Sequence, residues 1–170
     1  MNTGVAVGAA TPLKIMWGDL TISATVLPNS ENAYIAGYAT SNANWGLYSI
    51  FLEQGYPSYG YYGGGVHQKY RCGVPLPVHR FSTVTFTYER GLAGGTMACY
   101  IDGEPVSGTW ISGTGNSPPE DFPGSMAFEI GHWYGTTASL EKYWFDGVID
   151  EVLVYNEKLS AAAIKASSCR

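Results

Sequence analysis

The stretch FDGVIDEVLVYN, residues 145–156, decides how this chain folds, and it holds a contradiction. Val148, Ile149, Val152, Leu153, Val154 and Tyr155 are β-branched, aliphatic or aromatic, so the segment reads as a strand. Two carboxylates, Asp150 and Glu151, stand side by side in its middle. Strand side chains alternate. Asp150 is therefore expected on one face with Val148, Val152 and Val154, and Glu151 on the other with Ile149, Leu153 and Tyr155. Whichever face meets a core, one acid is expected among apolar neighbours, where an unpartnered carboxylate is costly. That acid needs a partner.

Other segments share the same period. LTISATVLP (20–28) sets Leu20, Ile22, Ala24 and Val26 against Thr21, Ser23 and Thr25. FSTVTFTYE (81–89) sets Val84, Phe86 and Tyr88 against three threonines, and SMAFEIGHW (125–133) aligns Met126, Phe128 and Ile130. In TMACYIDGEPV (96–106) the run Met97, Cys99, Ile101 leads into Asp102-Gly103, a strong hairpin signal. Residues 107–124 read as the longest irregular loop. A short helix is expected at the end, capped by Ser160 and built on Ala161, Ala162, Ala163 and Ile164. Short alternating strands with frequent turns predict an all-β sandwich or jelly roll.

At 170 residues the chain is expected to form one domain, 1–170, with a self-sufficient core. It carries 13 Tyr, 5 Trp, 6 Phe and 22 Gly, and only 14% charged residues, which suits many strands and turns. A net charge of −5 with 9 Lys+Arg argues against nucleic acid as the main ligand and against anionic membranes. No apolar run is long enough for a membrane insertion. The opening MNTGVAVGAATPLKIMWG lacks a basic n-region and reads as mature sequence. Cys72, Cys99 and Cys169 show no C-x-x-C spacing, so neither a zinc site nor a dense disulfide framework is expected, and the redox compartment stays open.

Taken in order, LTISATVLP, RFSTVTFTY, CYIDGEPVSG, FEIG and FDGVIDEVLVYNEKLSAAAI resemble the laminin-G-like, concanavalin A-like jelly-roll family. The closing family motif F-x-G-x-I-D-E-V-x-I-Y-N-x-x-L-S is matched at Phe145, Gly147, Ile149 to Val152, Tyr155-Asn156 and Leu159-Ser160. The pattern covers residues 15–166. Phe81 stands where the family usually has Trp, Ala24-Thr25 where it has Ala-Trp, and the Tyr/Gly stretch 54–73 follows no family pattern. The resemblance implies a concanavalin A-like jelly-roll sandwich of two antiparallel sheets. It also implies a partner for the acid: Asp150 as ligand to a structural Ca²⁺, which takes several carboxylate and carbonyl oxygens. The alternative is that Asp150 and Glu151 accept backbone N–H bonds or pair with a base.

Some relatives of this fold cleave glycans. The laminarinase-type enzymes carry E-x-D-x-E on one strand, and a glycosidase needs two carboxylates across a cleft. No such triplet occurs here: Glu129 is a lone acid in AFEIG, and Glu120-Asp121 lie in a Pro-rich loop. VHQKYR (66–71) has the residue types of a polysaccharide lyase without its strand motifs, and no nucleophile motif surrounds the histidines. A non-catalytic role is expected, with a hydrolase or lyase as the lesser alternative.

Aromatic residues concentrate between Tyr34 and Tyr70, centred on PSYGYYGGGVHQKYR. If 58–62 is extended, Tyr59 and Tyr61 face one way and Tyr62 the other. Tyr and Trp offer a flat apolar face and a polar tip, which complement a sugar ring. The expected ligand-binding residues are Tyr38, Trp45, Tyr59, Tyr61, His67, Arg71 and Trp133; Tyr48, sharing a face with Ile50 and Leu52, is expected in the core. The expected function is a glycan-binding or adhesion module with an oligo- or polysaccharide partner, outside the cell or on a cell or virion surface, without its own signal peptide. The alternative is a structural or assembly protein, such as a surface-layer or virion component, using the same Tyr-rich surface for protein contacts.

Overall fold

The computed structural model describes residues 5–7, 13–15, 18–40, 46–90, 95–120, 126–133 and 144–168. In chain order its strands are β1 (Val5–Val7), β2 (Leu20–Pro28), β3 (Ala33–Thr40), β4 (Tyr48–Glu53), β5 (Tyr56–Gly63), β6 (Val66–Cys72), β7 (Ser82–Glu89), β8 (Thr96–Ile101), β9 (Glu104–Val106), β10 (Gly108–Ser112), β11 (Met126–Ile130) and β12 (Gly147–Tyr155). Helix α1 (Ala161–Ser167) follows, its N-terminus capped by the Ser160 hydroxyl, which accepts from the Ala163 N–H at 3.2 Å. Seven strands make one sheet, in the order β1-β11-β3-β4-β5-β6-β10, and five make the other, β12-β2-β7-β8-β9. Every pairing is antiparallel. This is the jelly-roll sandwich that the strand pattern predicts.

The core lies between the sheets. Ile22, Ala24 and Val26 from β2 and Val84, Phe86 and Tyr88 from β7 meet Tyr48, Ile50, Tyr59 and Tyr61 from the larger sheet. Asp102 and Gly103 both take positive φ, 52° and 78°, as a two-residue hairpin turn requires. Cys72 of β6 and Cys99 of β8, with Cα atoms 5.9 Å apart, form a disulfide that ties one sheet to the other. Cys169 lies outside the described residues.

Two sequence expectations are corrected. Residues 108–112 are not loop: β10 pairs with β6 and packs Trp110 against Tyr70 at a centroid distance of 5.4 Å. The second correction resolves the two acids. On β12, Ile149 pairs with Val26 and Glu151 pairs with Thr25, so Asp150 is the extra residue of a β-bulge. The bulge resets the alternation. Ile149, Val152 and Val154 all pack against the core, while Glu151 lies opposite Thr25 on the outer face. Both carboxylates are exposed, and neither is left among apolar neighbours.

Candidate site on the outer face of the seven-stranded sheet

In β6 the residues Gln68, Tyr70 and Cys72 are buried toward the core. Alternation therefore turns His67, Lys69 and Arg71 outward. In β5 the same rule sends Tyr59 and Tyr61 inward and Tyr56, Ser58, Gly60 and Tyr62 outward. The register then aligns one outward row across five strands: Glu129, Gly37, Ser49, Gly60 and Lys69. The next row runs Tyr34, Phe51, Ser58, Arg71 and Thr109. Small residues floor the middle of the face, and aromatic and charged residues stand around them.

Gly37 is required where it lies. A Cβ there would overlap the Tyr48 carbonyl and the Tyr34 hydroxyl, so its absence lets Tyr34 lie over the sheet. The Tyr34 hydroxyl is pushed well above its ordinary pKa by burial, and secondarily by the Glu129 carboxylate. It stays a neutral phenol.

Toward β6 the face is more accessible. The Lys69 ammonium donates to both oxygens of Glu53, at 2.9 and 3.0 Å, and lies 5.7 Å from the Phe51 ring centre. The Arg71 guanidinium sits over the half-buried Tyr56 ring at 5.2 Å. Tyr62 meets the His67 imidazole edge-to-face, with centroids 5.2 Å apart. Burial lowers the His67 pKa, and the Lys69 charge lowers it further, which favours the neutral ring. These groups offer two ring surfaces, a guanidinium with planar donors and an imidazole on one side of one sheet.

Sequence reasoning found part of this set. His67 and Arg71 share the face as outward residues of one strand. Tyr38, Tyr59 and Tyr61 do not join them: they are 3%, 1% and 0% exposed and pack in the core, so their rings present no surface to a ligand from outside. Tyr59 and Tyr61 do face opposite to Tyr62, but the shared direction of the pair is inward. Trp133 follows β11 and is half-buried, with β3, β4 and β5 between that strand and β6. Trp45 lies outside the described residues. Tyr56, Tyr62, Phe51, Lys69 and Glu53 were missed as site residues, although strict alternation in VHQKYRC separates 67, 69 and 71 from the core-facing positions.

Asp150 stands exposed at the bulge, and among the described residues no three His, Cys, Asp or Glu gather into a group able to hold a metal. A Ca²⁺ held here would take its remaining oxygens from backbone carbonyls beside the one Asp150 carboxylate.

No curated protein sequence matches the chain. Among solved structures, its fold is similar to the CBM40 of Ruminococcus gnavus IT-sialidase bound to α2,3-sialyllactose, with a TM-score of 0.75 and 18% identity, covering 98% of this chain and 92% of that one. It is also similar to domains LG4-5 of the mouse laminin α1 chain, with a TM-score of 0.64 and 12% identity, covering 95% of this chain and 41% of that one. A third similar structure is the binding domain of botulinum neurotoxin DC in complex with SialylT, with a TM-score of 0.62 and 12% identity, covering 97% of this chain and 38% of that one. The chain thus spans well under half of the laminin and neurotoxin chains, and at these identities the likeness is one of fold. The family model described as the concanavalin A-like lectin/glucanases superfamily matches residues 2–165. This chain belongs to the concanavalin A-like lectin/glucanases superfamily.

Proposed function

We propose that this chain is a non-catalytic glycan-binding module whose ligand lies on the outer face of the seven-stranded sheet, between Tyr56, Tyr62, His67 and Arg71. One observation carries the reading: two ring–base pairs, Tyr56 with Arg71 and Tyr62 with His67, share that face beside a floor of Ser58 and Gly60. A pyranose has an apolar C–H face and hydroxyls around its rim. The tyrosines match the first, and the guanidinium and imidazole match the second. The saccharide-bound CBM40 and neurotoxin domain, which share the fold, support a saccharide as the class of partner. Fold alone does not assign it.

The Cys72–Cys99 bridge between the sheets supports action outside the reducing cytosol, at a cell or virion surface or in the extracellular space. The test is titration calorimetry against a panel of neutral and acidic oligosaccharides, with Tyr62→Ala and Arg71→Ala alongside the unmodified chain. Binding of one glycan class, weakened in both variants while their unfolding midpoints hold, is the expected result. No heat from any glycan, together with concentration-dependent self-association, would overturn it in favour of assembly.

A further inference from the structure

Strands β4, β5 and β6 carry a single carboxylate between them, Glu53, against two cations, Lys69 and Arg71. The neighbouring β10 adds no acid. Glu53 is already committed, because the Lys69 ammonium donates to both of its oxygens at 2.9 and 3.0 Å. Among the described residues Arg71 joins no ion pair, although the chain as a whole carries a net charge of −5. This outer face therefore holds one positive charge that no carboxylate of the described residues balances.

Arg71 is held in place with its donors unspent. Its guanidinium sits over the Tyr56 ring at 5.2 Å, a contact that steadies the cation without consuming an N–H. The residue is half-buried, and water screens a half-buried charge less than a fully solvated one. The planar fork of a guanidinium matches the two coplanar oxygens of a carboxylate.

The register also sets a length. Tyr62 pairs with His67, and Ser58 pairs with Arg71. From residue 67 to residue 71 a strand advances roughly 13 Å, which is longer than one pyranose. Contacts at Tyr62 and at Arg71 therefore come from different sugars of one ligand. Given a glycan on this face, as proposed above, we infer that it is an oligosaccharide bearing a sugar carboxylate. The carboxylate pairs with the Arg71 guanidinium, and a neighbouring sugar packs on Tyr62. Uronic acids and sialic acids both set that group directly on a pyranose ring.

The test is titration calorimetry of the whole chain with galacturonate and mannuronate oligosaccharides, sialyllactose, the methyl ester of each, and sulfated and neutral oligosaccharides. At least one acid is expected to bind about tenfold or more tighter than its own ester. Arg71→Gln, with an unchanged unfolding midpoint, should remove that difference, and the arms tell a uronate from a sialate. Equal affinity for acid and ester would overturn the inference. So would an acid preference that survives in Arg71→Gln, or tightest binding of a sulfated ligand. A neutral oligosaccharide bound best, and weakened by Tyr62→Ala, would overturn it while leaving the glycan-binding reading intact. No binding of any ligand would overturn both.

Discussion

Ile149 and Val152 are three residues apart on one strand, yet both face the same core, because Asp150 between them is looped out as a bulge. Three steps along a regular strand would put them on opposite faces. The extra residue restores the phase and carries both acids to the surface. The exposed carboxylates are thus a consequence of the strand's geometry, and the bulge absorbs Asp150 without shifting the apolar register of β12 on β2.

Deleting Asp150 removes the bulge and leaves Ile149, Glu151 and Val152 in regular alternation against Val26, Thr25 and Ala24, so Ile149, Val152 and Val154 all stay on the core face. The deletion is expected to keep the apolar register and to change stability by no more than about 1 kcal/mol. Asp150→Ala keeps the bulge and should change stability by no more than about 0.5 kcal/mol. Urea unfolding of both variants, with and without EDTA, checks this. A calcium-dependent gain in the unmodified chain that Asp150→Ala abolishes would instead make the residue a metal ligand.

The Cys72–Cys99 bridge closes a segment with a sequence separation of 27 between the two sheets. Removing such a cross-link frees the unfolded chain by about 3.5 kcal/mol on a loop-entropy basis. The double variant Cys72→Ala/Cys99→Ala should therefore unfold at a clearly lower urea midpoint, and dithiothreitol should lower the midpoint of the unmodified chain only. A response of the double variant to dithiothreitol would contradict this.

Tyr61→Phe leaves the half-buried Ser117 carbonyl without its donor at 2.8 Å. The expected loss is about 1–2 kcal/mol. Glycan binding should be unaffected, since this ring faces the core. A Tyr61→Phe variant of unchanged stability that binds glycan less well would return the residue to the ligand site.

His67 is disfavoured in its charged form by burial and by Lys69, so its pKa in the folded chain lies below the ordinary value. Between the two pKa values the unfolded chain binds more protons than the folded one, so stability rises with pH there. The contribution of His67 is fully present above about pH 6.5 and is lost as pH falls toward the folded value. His67→Gln should flatten the acid side of the stability profile below about pH 6.5. An unchanged slope would contradict the assignment.

The fold was legible wherever side chains alternate by two. LTISATVLP and FSTVTFTYE show their inner faces directly, the Asp102-Gly103 turn follows from its residue types, and Ser160 caps the helix as its position suggests. The bulge at Asp150 was not legible, because it exists only in the register between β12 and β2. For the same reason β10 was missed: GTWIS is a strand by virtue of β6 beside it. The tyrosines split onto two faces as their spacing requires. Which face is buried is decided by Phe86 and Tyr88 on the opposing sheet, which meet Tyr59 and Tyr61 only once the two sheets pack together. His67 and Arg71 were found by residue type, and Tyr56 and Tyr62 needed the sheet to show that they stand beside them.

The most direct test of the central claim is the affinity of the unmodified chain for its best glycan, compared with those of Arg71→Ala, Tyr62→Ala and Tyr59→Phe. Loss of a stacking or charged polar contact should weaken binding about tenfold or more in the first two, with unfolding midpoints unchanged. Tyr59→Phe should bind as the unmodified chain does. Full affinity in both Arg71→Ala and Tyr62→Ala would contradict the account and place any glycan elsewhere on the molecule.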